Sequence, residues 1–351
     1  MCYFCSTIQG IATMKHVIDI KGRSKVVVGN LAEVLPQLLP SKRVIVITDC
    51  NIDRHYHKLI EQYEHILIGL GETSKTWHTL DMIYRQLIEL NADRSTFILG
   101  IGGGIVTDIT GFVASTYMRG VEFGFVSTTL LGQVDASVGG KNGVNMDGYK
   151  NMVGTFNQPS FVICDIGMLS TLPKREFRTG LAEVIKAGVI ADPELFAMLE
   201  ECDLASLAKN TELLSEIVYR AIKVKADIVE RDEREEGDRR KLNLGHTLAH
   251  AIEKCSSKMN HGEAVAVGLS LIADAAVRNG ELSHDDCTRI KNLLERVGFV
   301  LEPPVEMRYL LKAVKKDKKS EGEQIFIVFP TNIGCCEARP MPLVEFKALM
   351  A

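Results

Sequence analysis

His246 and His250 stand four positions apart in the stretch GHTLAHAIE (245–253), a spacing that puts both imidazoles on one face of a helix. Neutral imidazoles bind divalent transition metals, and an imidazole near neutral pH also moves protons. The pair therefore admits three readings: two ligands, one ligand beside a catalyst, or two solvated side chains. A zinc-protease helix is excluded, because that pattern needs a Glu directly after the first His and Thr247 stands there. Upstream, GLAEVIKAG (180–188) carries Glu183 and Lys186 within one helical turn. Such a pair commonly forms an ion pair, and a charge held among Ala182, Val184 and Ile185 needs a partner.

A second group suits an anion. ILGIGGGIVTDITG (98–111) places Gly100, Gly102, Gly103 and Gly104 where a strand gives way to a helix. Consecutive glycines let the backbone approach a pyrophosphate, and the helix start presents free N–H groups to it. The turn departs from the G-x-G-x-x-G fingerprint, whose last glycine would fall on Ile105. Asp108, one turn further on, suits a ribose or polyol hydroxyl. Glu72 and Lys75 in GLGETSK, and Thr128 and Thr129, end two other strands. The segment 133–159, too polar and glycine-rich for a core, brings Asp135, Lys141, Lys150 and Asn151, and TYMRG adds Arg119. Lysines on such a loop suit an anionic group; the alternative is a solvated surface hairpin.

The elements that must position these residues follow from periodicity. HVIDIK (16–21), KVVVG (25–29), RVIVITD (43–49), HILIG (65–69), FILGIGG (97–103) and FGFVST (123–128) read as strands, separated by helical patterns such as 74–90. Alternation of this kind predicts a Rossmann-like α/β domain with a mainly parallel sheet and ligands at the carboxyl ends of its strands. From about residue 173 helical patterns follow one another, broken at Asp192-Pro193, at 232–238 and at 260–262, with one late strand at 325–330. The expected organisation is a tail over 1–13, an α/β domain over 14–165 and a mostly α-helical domain over 166–351. The chain has 351 residues, 46% hydrophobic and 25% charged, with a net charge of -4. That balance gives no electrostatic case for nucleic acid or an anionic membrane, and no apolar run approaches the ~18 residues of a membrane span. Nine scattered cysteines point to a reducing cytoplasm rather than to disulfides.

Taken in order, GETSK, GGGIVTDITGFVASTYMRG, STTLLGQVDASVGGK, GYKNMVGTFNQP, LSTLPKREFRTGLAEVIKAG, KADIVERDEREEG, LNLGHTLAHAIE, HGEAVAVG and DKK resemble the 3-dehydroquinate synthase family across residues 71–319. The glycine turn alone is shared with iron-type polyol and glycerol-phosphate dehydrogenases of the same superfamily. The resemblance implies a dehydroquinate synthase-like fold. It implies that Glu183, His246 and His261 hold one divalent metal, zinc or cobalt, and that NAD+ binds against Glu72, Lys75, Gly103, Gly104, Asp108, Thr128, Thr129, Lys141, Lys150 and Thr171. Around the substrate it implies Asp135, Lys141, Asn151, Lys186, Lys225, Arg239, Asn243, His250 and the pair Lys318 and Lys319. His250 would then face the substrate phosphate. Arg119 is expected to reach a neighbouring subunit's substrate in a homodimer. Ala249, where Gly is common, and Ile166, where Thr is usual, depart from the pattern. Residues 1–13 fall outside it, as a loose tail or an over-long start before Met14.

The implied reaction turns 3-deoxy-D-arabino-heptulosonate 7-phosphate into 3-dehydroquinate and phosphate, a carbon–oxygen lyase reaction in which NAD+ is consumed and regenerated. Transient oxidation of a hydroxyl makes the neighbouring C–H acidic, so phosphate leaves by β-elimination before the ketone is reduced again and the ring closes by an aldol step. Arg239 and Lys225 suit the substrate carboxylate. An NAD-dependent polyol or glycerol-phosphate dehydrogenase would share the turn and the metal yet gives no reason for Lys141, Lys150, Asn151 and the 317–319 cations. Another sugar-phosphate cyclase is disfavoured by Arg239 and Lys225, and a catalytically dead NAD-binding regulator by the intact Glu183, His246, His261 and Lys141.

Overall fold

The computed structural model describes residues 15–147, 149–314, 320–321 and 324–350. The tail expected over 1–13, and Lys318 and Lys319, lie outside the described residues. The chain divides into two compact units after Pro173, where the sequence placed the boundary at 165/166. The reason is local: Met168 and Leu169 are buried, and Met168 joins the core of the first unit with Val46, Leu99, Val126 and Ile163.

The first unit is built on a seven-stranded sheet in the order β1-β2-β9-β6-β5-β3-β4. Its strands are β1 (His16–Ile20), β2 (Ser24–Val28), β3 (Val44–Asp49), β4 (Glu64–Ile68), β5 (Phe97–Gly102), β6 (Phe123–Ser127) and β9 (Phe161–Cys164). Only β1 runs antiparallel, against β2; the other neighbours pair parallel. β5, β6 and β9 are buried along their whole length, as continuous apolar runs in a sheet covered on both faces should be. β9 is absent from the strands expected from sequence, yet it joins β2 to β6 inside the sheet. Four residues, FVIC, are too short to show a period of their own. The polar segment 133–159 forms a hairpin of β7 (Lys141–Met146) and β8 (Tyr149–Phe156).

In the second unit the helices relevant to chemistry are α5 (Lys174–Ala191), α7 (Thr211–Arg231), α8 (His246–Cys255) and α9 (His261–Arg278). The single late strand expected at 325–330 is instead the centre of a three-stranded sheet, β11 (Gln324–Asn332) between β10 (Ser320–Glu321) and β12 (Cys335–Pro342). β12 carries Pro340 and Pro342, which an edge strand tolerates and which hide it from a propensity reading. No helix among the described residues is long and apolar enough to cross a membrane.

Candidate functional site

Three helices converge on one carboxylate in the second unit. α5 keeps Glu183 buried at 3% exposure, in a helix whose residues from Thr179 to Ile190 are all buried. α8 begins at Gly245, whose φ of 75° is left-handed and so favours glycine. A Cβ there would also lie 2.9 Å from Leu269 N, so the same glycine lets the start of α8 approach α9. α9 begins with a capping box: Asn260 Oδ1 accepts from Glu263 N at 3.0 Å, and Glu263 Oε2 accepts from Asn260 N at 2.9 Å. Asn260 Nδ2 also donates to Thr179 Oγ1 at 2.6 Å, tying the start of α9 to α5 one turn before Glu183. His261, the first residue of α9, is thereby held against the carboxylate.

The Nε2 atoms of His246 and His261 lie 3.4 and 3.3 Å from the same oxygen, Glu183 Oε1, and one donor atom from each of the three residues falls within 4.8 Å of the others. Burial drives the His246 imidazole well below its usual range and the nearby Lys186 charge pushes the same way, outweighing Glu183. Its Nδ1 lies 3.1 Å from Leu244 O. A neutral imidazole donating there from Nδ1 turns the lone pair of Nε2 toward a carboxylate oxygen, which is repulsive without a cation between them. That donor chemistry fits a divalent ion such as zinc or cobalt. Glu183 itself stays well below the usual carboxylate range: burial opposes ionisation, and Lys186, His246 and His261 overcome it. For His261, burial lowers the pKa, but hydrogen bonds to Glu183 and Glu253 push it up to about 10. Glu253 Oε1 stands 3.5 Å from His261 Nδ1, the carboxylate–histidine arrangement that would orient Nε2 toward an ion held with Glu183.

Lys186 is both things the sequence suggested, an i,i+3 ion pair with Glu183 and a buried charge at the cluster. His250 lies one turn beyond His246 with ring centroids 5.6 Å apart and perpendicular planes. Asp232, which caps the end of α7, organises the segment after it: its carboxylate accepts from Glu236 N, Gly237 N and Arg239 N at 3.0, 2.7 and 3.0 Å. The segment buries Arg239 at 2% exposure, with its guanidinium donating to Glu233 O, and Asn243 donates to Glu235 Oε1. Lys225 is half-buried on α7. Asp232 and Glu253 are not among the residues singled out from sequence, although each carries a signal there: an acidic residue just past a helix end and a Glu one turn after His250.

In the first unit the glycine turn joins β5 to α4 (Gly104–Thr116), and the start of α4 has no side-chain cap. Cβ atoms at Gly103 and Gly104 would lie 2.9 Å from Thr129 Cγ2 and 2.8 Å from Ala136 Cβ, so the glycines also admit the π-helical turn 132–136 that carries Asp135. Thr128 N donates to Gly102 O at 3.0 Å, while the Thr128 hydroxyl is buried without a hydrogen-bond partner among the described residues. Asp108 pairs with the ammonium of Lys75, which also donates to Asn151 Oδ1. Asn145, unnoticed in sequence, donates from Nδ2 to Glu72 Oε1 at 2.7 Å. Glu72, Lys75, Asp108 and Asn151, drawn from three separate stretches, thus share one polar network. Lys141 and Lys150 are exposed on the hairpin. Thr171 Oγ1 lies 3.1 Å from Tyr56 Oη. Arg119 is exposed in a left-handed turn, where Met118, Arg119 and Gly120 have φ of 50°, 68° and 119°.

Two family models match the chain in succession, 3-dehydroquinate synthase N-terminal over residues 65–179 and 3-dehydroquinate synthase C-terminal over 180–320. The 3-dehydroquinate synthase of Thermodesulfovibrio yellowstonii is 42% identical over 321 residues, covering 87% of this chain and 89% of that protein. The enzyme of the same name from Natranaerobius thermophilus is 40% identical over 351 residues, covering 94% and 95%. Among solved structures, 2-epi-5-epi-valiolone synthase from Streptomyces hygroscopicus, with NAD+ and Zn2+ bound, is similar at a TM-score of 0.84 and 26% identity, covering 93% of this chain and 95% of that one. Both halves of the pattern are matched in order, and relatives of that name align along most of their length: the chain belongs to the 3-dehydroquinate synthase family.

Proposed function

We propose that this protein converts 3-deoxy-D-arabino-heptulosonate 7-phosphate to 3-dehydroquinate and phosphate, a lyase reaction that needs NAD+ and one divalent metal. The observation that carries the reading is the convergence of two imidazole nitrogens on one buried carboxylate oxygen, at 3.3 and 3.4 Å, in a chain of this family. Glu183, His246 and His261 would hold the ion, leaving positions open for substrate oxygens; when bound, it supplies Lewis-acid polarisation of hydroxyl and carbonyl oxygens. NAD+ would lie on the glycine turn with Glu72, Lys75, Gly103, Gly104, Asp108, Thr128, Thr129, Lys141, Lys150 and Thr171 about it, and supplies a hydride acceptor that is restored within each cycle.

The remaining roles belong to the chain's own side chains. Lys141, Asn151 and Arg119 bind the phosphate, while Asp135, Lys186 and Asn243 orient the polyol. Arg239 and Lys225 meet the carboxylate end, where a guanidinium held by its own loop is a rigid partner, and Lys318 and Lys319 complete the substrate's surroundings. In the elimination a C–H bond and the C–O bond to phosphate break, phosphate departs with the electron pair, and the proton passes to the phosphate itself. His250 donates a hydrogen bond to the leaving group or shuttles its proton. The exposed, left-handed placement of Arg119 supports a homodimer in which it serves the partner's substrate, and the free thiols suit a reducing cytoplasm.

The test follows phosphate release from the heptulosonate phosphate with NAD+ and Zn2+ or Co2+ present, with and without chelator. Release that chelator abolishes, with no net NADH, is expected. No release under complete conditions overturns the reading, and net NADH from a polyol favours the dehydrogenase alternative.

A further inference from the structure

Asn145 stands at the irregular point of the β7–β8 hairpin, where the pairing register shifts between Val144 and Met146. A bulged residue is released from the ladder and can be aimed elsewhere. Here its backbone N–H donates to Lys75 O at 2.9 Å, forming a parallel bridge with Thr76. Its side chain is used at both ends: Nδ2 donates to Glu72 Oε1 at 2.7 Å and Oδ1 accepts from Asn151 N at 3.0 Å. Asn151 has a φ of 52°, a left-handed conformation that needs support from its surroundings. Its own Oδ1 accepts from Lys75, which pairs with Asp108. The bonds close a ring through Glu72, Asn145, Asn151 and Lys75.

We infer that Asn145 is a positioning residue that locks the Glu72–Lys75 turn to Asn151, so that the groups meeting the nucleotide and the group meeting the substrate are set together. The inference rests on the proposed roles of Glu72, Lys75 and Asn151. Only a side chain with a donor and an acceptor on one short stem satisfies both Glu72 and the strained backbone of Asn151. Aspartate keeps the acceptor for Asn151 and sets a carboxylate against Glu72, so Asn145→Asp isolates the Glu72 link while leaving the hairpin bond in place.

The experiment is a double-mutant cycle on NAD+ binding, read by calorimetry on the metal-loaded chain: parent, Asn145→Asp, Glu72→Gln and the double variant, with thermal midpoint and bound metal measured alongside. Asn145→Asp is expected to weaken NAD+ binding about 10-fold, the size of a lost hydrogen bond to a charged group. Metal content is expected to stay unchanged. With Glu72 already Gln, whose amide donates to the new carboxylate, the same substitution is expected to cost less than about 3-fold. Additive losses, or NAD+ binding unaltered in Asn145→Asp, overturn the inference. A parent chain that binds no NAD+ overturns the cofactor reading, and this one with it.

Discussion

Substituting Gly262 with Ala tests whether the metal site proposed at Glu183, His246 and His261 depends on helix packing rather than on its three donors alone. Gly262 follows His261 at the start of α9, and a Cβ on it would lie 2.5 Å from Thr179 Cα and 2.8 Å from Thr179 C, against 3.4 Å for ordinary contact. Thr179 O lies nearer still, and all three obstacles are backbone, so the helices must part by at least about 0.9 Å, the difference between 3.4 and 2.5 Å. Thr179 and Glu183 are one turn apart on α5, so the same displacement acts on the 3.3 Å separation of His261 Nε2 and Glu183 Oε1. Metal–donor distances tolerate about ±0.2 Å, so the shift exceeds what the donor set absorbs. Gly262→Ala should bind Zn2+ about 10- to 100-fold more weakly, the scale on which mispositioned donors act. The overpacking should cost about 1–3 kcal/mol, or several degrees in thermal midpoint. Competition with a chromophoric chelator reads the affinity and calorimetry the midpoint. Zn2+ affinity equal to the parent's, whatever the midpoint does, refutes the coupling.

Replacing His246 or His261 with Ala should abolish metal retention, whereas His250→Ala should keep near-full metal yet lose about 10²-fold or more in turnover, as for a positioned acid–base group; metal analysis of the three variants decides, and a metal-free His250→Ala makes that side chain a ligand. Asp232 should govern the acid side of stability. Burial opposes its ionisation, but the backbone N–H groups of Gly237, Arg239 and Glu236 hold it below the usual carboxylate range. Its contribution is therefore complete above about pH 4, the unfolded value, and fades as pH falls through the lower folded value. Asp232→Asn should be less stable than the parent near pH 7, with the gap narrowing as pH falls below 4 in denaturant titrations; a gap that does not narrow contradicts this.

The strands β2, β3 and β5, with their runs of Val and Ile, were legible because burial on both faces favours such residues. β9 and β12 were not, for opposite reasons: one is too short to carry a period, the other too polar and proline-bearing to look like a strand. Glu183, His246 and His261 come from three helices far apart in sequence, and no spacing rule links them; family likeness did so, and the helix packing gives the physical reason. Asn145 stayed hidden because an asparagine in a glycine-rich hairpin reads as a turn residue. Only its place at the register shift distinguishes it from Asn142, whose amide merely braces the hairpin backbone.

The interior position of β9 bears on how the first unit comes to be assembled. β2 and β6 do not touch; each pairs with β9, which is the last of the sheet's strands to leave the ribosome. Until Phe161–Cys164 emerges, the β1–β2 pair has no partner on that side and β6 presents an open, mostly apolar edge, the kind of surface that invites association between nascent chains. The closing strand brings more than its own ladder. Asp165, immediately after it, accepts from Leu31 N at 2.8 Å and, through its carbonyl, from Gln133 Nε2 at 3.0 Å, so one short stretch staples the earliest helix to the turn beside the glycines. The turn at 132–136 beside the glycines thus owes its final register to a segment synthesised after it, and the order of translation sets when this half of the molecule can first close.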